Sequence, residues 1–539
     1  KVLFILLGCL LSFNVMAQVK AISGLVTDVT GEPVIGASVV EVGTTNGVIT
    51  DLNGKFSLKV APNSQFLVSY IGYKQQTIKV GSESTYNIVL KEDAEVLDEV
   101  VVVGYGSQKK VNVTGAVGMV SAEALEARPV ANASQALQGV VPGLNLTVGN
   151  NGGALDGTLN MNIRGAGTIG DGSGSSPLVL IDGIEGDLNT VNPNDIESVS
   201  VLKDAASASI YGARASFGVI LVTTKSGKSG KTNVSYSGSA RFSDAIGVPD
   251  IMDSYTFAQY FNRASANKGG GDIFAPAVME RIKAYQEGTL KATTVDNGAG
   301  IWQKWANANG DTDWFEEFYD HWAPSQEHNL SINGGTDKTQ YLISGSFLDQ
   351  KGLMRHGKDK FQRYTLNGKI TTAVTDWFKV TYSTKWTRED FERPSYLTGN
   401  FFHNLARKWP VHPAYDPNGF PMDEGEVEQM ENGGKQNSQK DFYTNQLQLV
   451  FEPIKNWKIN LDGSVRTTTQ YQHWEVLPVY AYNVAGDPYY TVWDMGYGSY
   501  AAGSSRVNEY SWKENYYTTN IYSDYFKQFD NGHYFKVMA

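Results

Sequence analysis

The sequence predicts a mainly β protein with three folded parts: a small N-terminal β-sandwich, a mixed α/β domain, and part of a large antiparallel transmembrane β-barrel. Three observations lead to this fold class. Short β-rich runs separated by turn residues fill residues 20–92, helix-like and strand-like runs alternate over residues 113–230, and apolar and polar residues alternate from residue 231 onward. A period of two is that of a strand whose two faces meet different surroundings.

Composition excludes several classes of protein. Of the 539 residues, 41% are hydrophobic and 12% are aromatic, which is too apolar a composition for general disorder. The formal net charge of −11 argues against nucleic acid as a partner, because phosphate binding needs a basic surface. Cys9 is the single cysteine, so neither a disulfide scaffold nor a cysteine metal cluster is expected. After residue 20 there is no run of about 18 apolar residues, so no membrane-spanning helix is predicted, whereas alternating barrel strands stay compatible with a membrane.

Residues 1–17 predict a secretory signal peptide. Lys1 precedes an apolar run, and the small residues Val15 and Ala17 place a cleavage site after Ala17, which is the order of features in an export signal. The segment Leu6–Cys9 also resembles a lipoprotein cleavage box, which would make Cys9 a lipid anchor. Because Cys9 lies inside the apolar run and not at its end, we favour the ordinary signal peptide.

Residues 18–92 are predicted to fold as the β-sandwich. The β-rich runs AISGLVTD, ASVVEVG, GKFSLKV, QFLVSYIGY and TYNIVL are separated by turn residues such as Asn53-Gly54. Several short strands at this spacing are typical of a sandwich. The segment holds no catalytic grouping, so we interpret it as a structural or docking module.

Residues 93–112 differ from the sandwich. An acidic stretch leads into the consecutive valines Val100–Val103, which are followed by Gly104 and Tyr105. Two interpretations of this strand remain open. It is either a buried strand of a neighbouring domain, or an exposed peptide that adds to the edge of a partner's sheet through backbone hydrogen bonds.

Residues 113–230 are predicted to form the α/β domain. The runs SAEALEA, ANASQALQGV and DAASASIYGA are helix-like, with Ser121 and Asp204 as candidate N-caps, and LNMNIRG, PLVLIDG, IESVSVLK and GVILVTTK are strand-like. Gly165–Gly170 matches the G-x-G-x-x-G pattern of a dinucleotide site, but DGSGSS follows where that site needs a helix. We therefore interpret this segment as a flexible loop, and no cofactor is predicted.

Residues 231–539 are predicted to supply the barrel strands. In the first of them Val234, Tyr236 and Phe242 share one face, and serines occupy much of the other. An apolar outside and a wet inside fit a membrane barrel, whereas a soluble sandwich, the alternative, would turn the apolar face inward. Aromatic residues near the predicted strand ends favour the membrane version, because amphipathic rings gather at lipid interfaces. These residues are Trp377, Trp386, Trp457, Tyr471 and Trp474.

The connections between the predicted strands alternate in length. If the strand near 233–242 starts at the periplasmic side, the next connection, 243–325, must lie outside, and it is long, with helix-like stretches at 254–266 and 275–287. Outer-membrane barrels have short periplasmic turns and longer extracellular loops. The later connections fit this rule, being short at 334–337, longer at 350–359, short at 372–375, very long at 389–440 and short at 453–456.

Three long segments resemble one known family. They are GLVTDVTGEPVIGASVVEVGTTNGVITDLNGKFSLKV, DEVVVVGYGSQKK, and PLVLIDGIEGDLNTVNPNDIESVSVLKDAASASIYGARASFGVILVTTKSGK. On these motifs the chain resembles the SusC-like (RagA-type) TonB-dependent outer-membrane transporters, and the similarity extends over essentially the whole chain. The resemblance implies a carboxypeptidase-regulatory-like β-sandwich at 18–92, a linker with the TonB box at 93–112, the plug domain at 113–230, and a partial barrel with long extracellular loops at 231–539.

The resemblance also assigns individual residues. The TonB box that it implies consists of Glu99, Val100, Val101, Val102, Val103, Gly104 and Tyr105. The plug motifs that it implies are Arg164, Gly165, Asp182, Gly183, Tyr211 and Gly212. Barrels of this family close with 22 strands, whereas about ten candidate strands lie between residues 231 and 539. We therefore expect an N-terminal fragment in which the 22-stranded antiparallel barrel is incomplete.

The function that the resemblance implies is energised transport. We expect active import of a large polar nutrient, an oligosaccharide, across the outer membrane of a Gram-negative bacterium. The implied partners are TonB, energised by ExbB and ExbD, a SusD-like surface lipoprotein, and the lipid of the outer membrane, with the N-terminal domain and the plug on the periplasmic side. Import of peptides or another non-glycan ligand stays open, as does a receptor without transport. A passive porin is disfavoured, because it would lack residues 93–230.

Aromatic residues in the two longest predicted loops are the candidate ligand contacts, because they can stack on sugar rings, and ordinary loop packing is the alternative. Those singled out are Trp302, Trp305, Tyr396, Phe401, Phe402 and Trp409; Trp314 and Trp322 lie in the same loops. No nucleophile–base set or carboxylate pair is specific enough to predict catalysis. His403 and His412 lack a recognisable third ligand, so no metal site is predicted.

Overall fold

A computed structural model gives the structure of the chain. It describes residues 20–44, 46–62, 64–70, 73–91, 100–103, 106–109, 115–126, 128, 130–148, 155, 159–165, 176–491, 493–494, 499–529 and 533–539. The predicted signal peptide lies outside the described residues, as do Glu99, Gly104 and Tyr105 of the predicted TonB box. The chain divides into two compact units, Lys1–Thr114 and Gly115–Ala539.

The first unit contains a two-sheet β-sandwich, as predicted. Its strands are β1 (Lys20–Thr27), β2 (Ser38–Glu41), β3 (Gly47–Ile49), β4 (Lys55–Val60), β5 (Gln65–Ser69), β6 (Gln76–Lys79) and β7 (Thr85–Val89). One sheet has the order β4-β1-β7 and the other β3-β2-β5-β6. Exposed and buried residues alternate strictly in β4, which places Phe56 and Leu58 in a core with Phe66 and Val68.

The same unit contains a hairpin. Its strands are β8 (Val100–Val103) and β9 (Gly106–Lys109). They pair antiparallel with each other, and in the described part of the chain this sheet has two strands.

The second unit begins with the α/β domain. Its strands are β10 (Val117–Ser121), β11 (Leu144–Val148), β12 (Leu159–Ile163), β13 (Leu178–Ile181), β14 (Ile184–Glu185), β15 (Ile196–Leu202) and β16 (Val219–Thr224). Its helices are α1 (Ala122–Glu126), α2 (Ala133–Leu137) and α3 (Ala205–Ala208), with 3-10 turns at Leu188–Thr190, Pro193–Asp195 and Ser209–Ala215. The main sheet has the order β10-β15-β16-β13-β14.

The core of this domain follows from its strand sequences. The run VILVTT of β16 is buried at almost every position, as expected of a strand that is covered on both faces. Leu125 of α1 and Leu137 of α2 pack with it in one apolar cluster. Asp204 caps α3 as predicted, because its Oδ1 accepts the backbone N–H of Ser207 at 2.7 Å.

The rest of the second unit is dominated by a nine-stranded antiparallel sheet in the order β17-β18-β19-β20-β21-β22-β23-β28-β29. Its strands are β17 (Gly230–Ser243), β18 (Ala323–Gly335), β19 (Thr339–Lys351), β20 (Lys360–Thr375), β21 (Phe378–Pro394), β22 (Lys435–Ile454), β23 (Trp457–Val476), β28 (Arg506–Gln528) and β29 (Tyr534–Met538). Between β23 and β28 lie β24 (Tyr480–Tyr482), β25 (Pro488–Tyr490), β26 (Trp493–Asp494) and β27 (Ser499–Tyr500).

The two faces of this sheet differ in polarity. The strand register aligns the apolar residues Tyr236, Leu330, Leu366, Trp386 and Tyr443, with Gly345 between the second and the third. The neighbouring row on the opposite face is polar and contains Ser237, Asn329, Ser346, Thr365 and Thr387. Most of the apolar row is exposed, whereas a soluble sandwich would bury it. The predicted alternation of an apolar outside and a polar inside is therefore present.

The connections alternate as predicted. Turns of two or three residues join β18 to β19, β20 to β21 and β22 to β23. Five residues, 529–533, separate β28 from β29. The remaining four connections are longer, and we call them the first (244–322), second (352–359), third (395–434) and fourth (477–505) long loops. They carry the helices α4 (Ser254–Asn267), α5 (Pro276–Gln286), α6 (Trp314–Phe318), α7 (Gly399–Leu405) and α8 (Val427–Asn432). None of the helices among the described residues has the length and apolar character needed to cross a bilayer.

Aromatic residues partly follow the predicted positions. Trp377 and Trp457 lie at the short-turn end of the sheet and are exposed, at 53% and 36%. Trp386, in contrast, lies in the middle of β21, so its predicted place near a strand end is wrong. The reason is strand length, since β22 and β23 each have 20 residues while about 9–11 suffice to span a bilayer. A position near the membrane boundary can thus fall in mid-strand.

Candidate functional site

The predicted TonB box forms a paired strand where it is described. Val100 lies opposite Lys109, and Val103 lies opposite Gly106. Among the described residues β8 pairs with β9 along one edge, and it belongs neither to the sheets of the β-sandwich nor to the main sheet of the α/β domain. A strand has two edges, so a partner strand can still add at the second one.

The plug motif Asp182-Gly183 is a tight hairpin turn between β13 and β14. Ile181 and Ile184 pair across it, and the two turn residues have φ values of 49° and 86°. A two-residue loop with positive φ at both positions is a type I′ turn, for which Asp-Gly is a favoured sequence.

The side chain of Asp182 joins the turn to both sheets. Its Oδ1 accepts the backbone N–H of Thr224 at 2.9 Å, and its Oδ2 accepts the Thr224 hydroxyl at 2.6 Å. Lys385 of β21 forms an ion pair with the same carboxylate, and Gln446 of β22 donates to the Asp182 carbonyl at 3.0 Å. Burial alone would raise the pKa of Asp182, but the ammonium groups of Lys385 and Lys369 hold that pKa below its ordinary value. Asp182 is therefore an ionised, buried anchor.

The other plug motifs are also turn positions. Arg164 and Gly165 follow β12 with φ values of 60° and 97°, and the Arg164 N–H donates to the Gly143 carbonyl at 2.7 Å. Gly212 has a φ of 64°, and the ring of Tyr211 beside it is buried. The three motifs are thus separate turns of the α/β domain, and the structure does not bring them together into one site.

One segment of the α/β domain, residues 182–195, is held by the inner face of the nine-stranded sheet, and we call it the anchor segment. Side chains of β18, β20, β21, β22 and β23 all reach it. The pairs are Asn329–Asn192, Arg363–Asn189, Asn367–Asp195, Lys385–Asp182, Thr387–Thr190, Gln446–Asp182 and Arg466–Glu185. Because successive strands contact one short segment, the sheet curves around it and the domain occupies its inner face.

The aromatic residues predicted to contact ligand lie in different environments. Trp305, Tyr396 and Trp409 border a common cavity. Phe401 is 1% exposed and belongs to a loop core, and Phe402 packs against that core. Trp302 is half-buried and, like these two phenylalanines, is not among the described residues that line the cavity.

This cavity, which we call the loop cavity, lies between the first, third and fourth long loops. Its volume of about 830 Å³ falls in the range of small-molecule sites. Its lining combines aromatic rings with amides and charged groups. The lining residues include Lys304, Trp305, Tyr396, Asn404, Arg407, Lys408, Trp409, Asp423, Glu424, Glu426 and Gln429.

The charges of the loop cavity are paired with one another. Lys304 Nζ lies 2.7 Å from Asp423 Oδ2 and 2.6 Å from Glu424 Oε1. Lys408 Nζ lies 2.9 Å from Glu426 Oε2, and these two side chains are 3% and 7% exposed. Burial lowers the pKa of Lys408, while the carboxylate of Glu426 opposes that shift. Both lysines are thus paired within the wall of the cavity, where the three carboxylates outnumber them by one.

His412 forms part of the support under this wall. It is fully buried, and its ring stacks on Trp305 at a centroid distance of 4.6 Å. Burial and the nearby Lys408 hold the pKa of His412 well below its ordinary value. Its Nε2 lies 3.1 Å from the Asp423 carbonyl, which can only accept, so Nε2 carries the proton. His412 is accordingly a neutral packing residue.

Sequence reasoning missed the polar residues of the loop cavity. Asp423, Glu424, Glu426 and Gln429 lie within MDEGEVEQME, residues 422–431. The signal that could have indicated them is this dense run of acidic residues in the same loop as Trp409. Glu424 and Glu426 also have positive φ values of 62° and 69°, which sequence alone does not reveal for residues with side chains.

Comparison with known proteins adds to this geometry. The family model of the TonB-dependent receptor plug domain matches residues 109–219. The model of the CarboxypepD_reg-like domain matches residues 22–102. Between them they cover the sandwich from the third residue of β1, all but the last residue of β8, and the α/β domain up to the start of β16.

Curated relatives extend the similarity into the nine-stranded sheet. The TonB-dependent receptor SusC of Bacteroides thetaiotaomicron is 35% identical over 377 residues, which are 68% of this chain and 33% of that protein. The chain belongs to the SusC-like TonB-dependent receptors. A TonB-dependent receptor of Formosa agariphila is 32% identical over 414 residues, 76% of this SusC-like chain and 36% of the relative. The chain therefore spans about a third of the length of these curated relatives.

Solved structures share the fold of this SusC-like chain. The RagAB peptide importer in its open-open state has a TM-score of 0.63 at 24% identity, covering 82% of this chain and 48% of that one. Its closed-closed state has a TM-score of 0.61 at 23% identity, covering 79% and 47%. In the terms of this family, the α/β domain is the plug and the nine strands are part of the transmembrane barrel.

Proposed function

We propose that the complete protein imports a large polar nutrient, an oligosaccharide, across the outer membrane by a TonB-dependent mechanism. The observation that carries this proposal is the anchor segment. Polar and charged side chains of five barrel strands hold residues 182–195 against the inner face. A polar solute that moves along this face meets the plug, so passage requires the plug to move. A passive porin has no need of such a device.

TonB would supply the energy for that movement. The outer membrane holds no ATP, so the work must come from outside it, and we assign it to TonB energised by ExbB and ExbD. In this proposal the N-terminal domain and the plug face the periplasm. TonB pairs as an added strand with Val100–Val103, the described part of the predicted box Glu99–Tyr105, and pulls.

The long loops would receive the substrate on the outer side. A SusD-like surface lipoprotein closing over them is the partner that SusC-like membership supports. Trp305, Tyr396 and Trp409 border the loop cavity and offer rings on which a sugar can stack. The alternative substrate is a peptide, since two of the solved structures that share this fold are those of a peptide importer.

Deleting residues 99–105 from the full-length protein tests the TonB-dependent mechanism. Uptake of labelled nutrient by cells should be lost, while capture at the cell surface persists, because the loops are unchanged. A sharper variant replaces Val101 and Val102 by proline. Successive residues of a strand direct their N–H groups to opposite edges, so this pair removes one donor from each edge.

The matched control replaces Val101 and Val102 by threonine. Threonine keeps the branched shape and the backbone donors, so uptake should stay near the wild-type level. Uptake that survives the deletion would contradict the mechanism. If cells take up labelled peptides in an energy-dependent way but take up no oligosaccharide, the TonB-dependent mechanism is retained. The substrate is then a peptide and not an oligosaccharide.

A further inference from the structure

We infer that the loop cavity binds an uncharged, hydroxyl-rich unit, such as an unsubstituted sugar residue, and rejects units that carry carboxylate or sulfate groups. This inference rests on the proposed function and narrows its substrate class. It follows from one acceptor that the protein leaves unpaired, from the pairing of the charges in the cavity and from its aromatic surface.

The first observation is a buried acceptor without a partner. Gln429 is 4% exposed, and its Oε1 has no hydrogen-bond partner among the described residues. A buried, unpaired carbonyl oxygen is rare in proteins and unfavourable. Gln429 borders the loop cavity, so a rotation of its terminal amide would present this oxygen to a donor group of a bound ligand.

The second observation concerns the acidic groups of the cavity. Asp423, Glu424 and Glu426 border the same cavity as Gln429, and a carboxylate can only accept hydrogen bonds. Several of these oxygens already accept from the protein, for example from Trp305 Nε1 at Glu424 and from the Thr491 hydroxyl at Asp423. A ligand hydroxyl can donate to the lone pairs that remain. A ligand carboxylate or sulfate has no proton to donate at neutral pH, so it would face like charge and lone pairs.

The third observation is that the cavity offers few free cations. Lys304 is held by Asp423 and Glu424 at 2.7 and 2.6 Å, and Lys408 is held by Glu426 at 2.9 Å. An anionic ligand would have to take a lysine away from its carboxylate, leaving a buried charge unpaired, which is strongly unfavourable.

The remaining cation is placed at the edge of the cavity. Arg407 is exposed, and its Nη2 donates to Asn404 Oδ1 at 2.9 Å.

The carboxylate of Glu426 is held by two further residues. Asn404 donates to Glu426 Oε1 at 3.0 Å, and Tyr396 donates to the same oxygen at 3.1 Å. These bonds fix the carboxylate of Glu426 before a ligand arrives, and such pre-organisation favours affinity.

The fourth observation concerns the aromatic side. One face of Trp305 is covered by His412, and Trp409 meets Trp305 edge to face at 6.1 Å. Both indole rings still border the cavity. The C–H face of a sugar ring packs on such a surface, while its hydroxyls are left to meet the acceptors that border the same cavity. A strongly hydrated anionic group would lose its water there without compensation.

The experiment measures binding to the purified full-length protein. A glycan array carries neutral, uronic-acid-containing and sulfated oligosaccharides together with tripeptides to hexapeptides, and the affinity for each bound probe is then measured by calorimetry. We expect binding to neutral oligosaccharides and none to the acidic or sulfated ones. Gln429→Leu should weaken that binding roughly tenfold or more, because the ligand hydroxyl loses its acceptor.

Trp305→Ala should weaken binding similarly, and Trp322→Ala is its matched control. Trp322 lies in the same long loop, is exposed, and is not among the residues that line the cavity, so its removal should leave affinity unchanged. Unaltered thermal unfolding of each variant shows that the loops are folded. A variant that unfolds is replaced by Gln429→Met or Trp305→Phe.

Three results would overturn the inference: binding of acidic or sulfated glycans as tight as that of neutral ones, neutral binding unaffected by both cavity variants, or no oligosaccharide binding at all. These outcomes are distinguishable from failure of the proposed function. TonB-dependent uptake is tested by deleting residues 99–105, and its result does not depend on which ligand the loop cavity accepts.

Discussion

His356 joins three of the long loops through one imidazole ring. It lies in the second long loop, and its side chain is 8% exposed. Its Nε2 lies 2.8 Å from Glu317 of α6, and its Nδ1 lies 2.7 Å from Glu431 of α8. A carboxylate can only accept, so both bonds are made at once only when both ring nitrogens carry protons. The three loops are therefore held by a charged histidine.

This arrangement predicts a pH-dependent loop structure. Burial alone would lower the pKa of His356, but its hydrogen bonds to Glu317 and Glu431 raise the pKa above its ordinary value. A group whose pKa is raised on folding adds stability that is complete below the unfolded pKa of about 6.5 and is lost as pH rises through the folded pKa. Hydrogen exchange of α6, residues 352–359 and α8 should accordingly become faster as pH rises through that window, after correction for the intrinsic rate.

His356→Gln should remove this dependence and weaken the loop contacts by about 1 kcal/mol at acidic pH. His321→Gln is the control, because His321 also pairs with two carboxylates, Asp244 and Glu316, but is half exposed. Solvent screening makes such a pair weak, so its removal should leave the profile unchanged. A wild-type profile that stays flat as pH rises from about 6.5 into the alkaline range would refute the role of His356.

The buried ion pair of Asp182 and Lys385 gives a second prediction for single residues. Asp182→Asn keeps an acceptor for the Thr224 N–H but leaves Lys385 without its counter-charge. Removing one partner of a buried pair is costly, so hydrogen exchange in β13, β14 and β16 should report a loss of about 2 kcal/mol. Lys283→Gln, which breaks the exposed pair of Lys283 and Glu287, is the control and should change little. Equal effects of the two variants would show that the plug is not anchored here.

At the scale of elements, two glycines of the plug distinguish the cost of backbone strain from the cost of steric crowding. Gly183 lies in the β13–β14 turn, and Gly218 directly precedes β16. Gly183 has a φ of 86° and open space around the position of a Cβ, so Gly183→Ala should cost only the backbone term, about 1 kcal/mol. Gly218 has a φ of 92°, and an added Cβ would lie 2.6 Å from Ile163 Cδ1 and 2.9 Å from the Leu202 carbonyl. Gly218→Ala should therefore destabilise the plug sheet clearly more, measured by exchange of β13 and β16. The reverse order would contradict the description of the turn.

Elements with a local signal could be predicted from the sequence. The barrel strands are visible because their polarity alternates residue by residue, and the turns because they follow Gly, Asn and Asp. The hairpin of β8 and β9 could not be predicted as one. The apolar run Val100–Val103 indicates a strand, but nothing in the polar segment Gly106–Lys109 marks it as the partner.

The aromatic residues of the long loops also show what the sequence alone cannot predict, which is whether a ring lines the cavity or is buried in a loop core. Trp305, Tyr396 and Trp409 border the loop cavity, whereas Phe401 is buried in a loop core. Sequence gives all four the same aromatic character and the same kind of loop. What separates them is the folding of distant loops against one another, for example the stacking of Trp305 on His412.

At the scale of the whole molecule, the sequence predicts the plug and the barrel strands, and the structure shows which residues attach the plug to those strands. Asn192 of the plug meets Asn329 across 137 positions of sequence, and Glu185 meets Arg466 across 281. Each of these residues reads as an ordinary polar residue of a loop or a strand. Only the curvature of the sheet around the anchor segment gives them a common role, and no local pattern encodes that curvature.

The attachment of the anchor segment to β18 leads to a prediction about movement of the plug. If import requires the plug to leave the barrel wall, a short thiol crosslinker between Asn192→Cys and Asn329→Cys in the full-length protein should stop uptake while surface capture persists. A disulfide-containing crosslinker makes the block reversible, so a reductant should restore uptake. Cys9 is the single cysteine of this sequence and lies in the predicted signal peptide, which favours selective labelling. Each single-cysteine variant, treated in the same way, should transport normally. Uptake at the wild-type rate through a fully crosslinked protein would mean that the substrate passes without separating the anchor segment from β18.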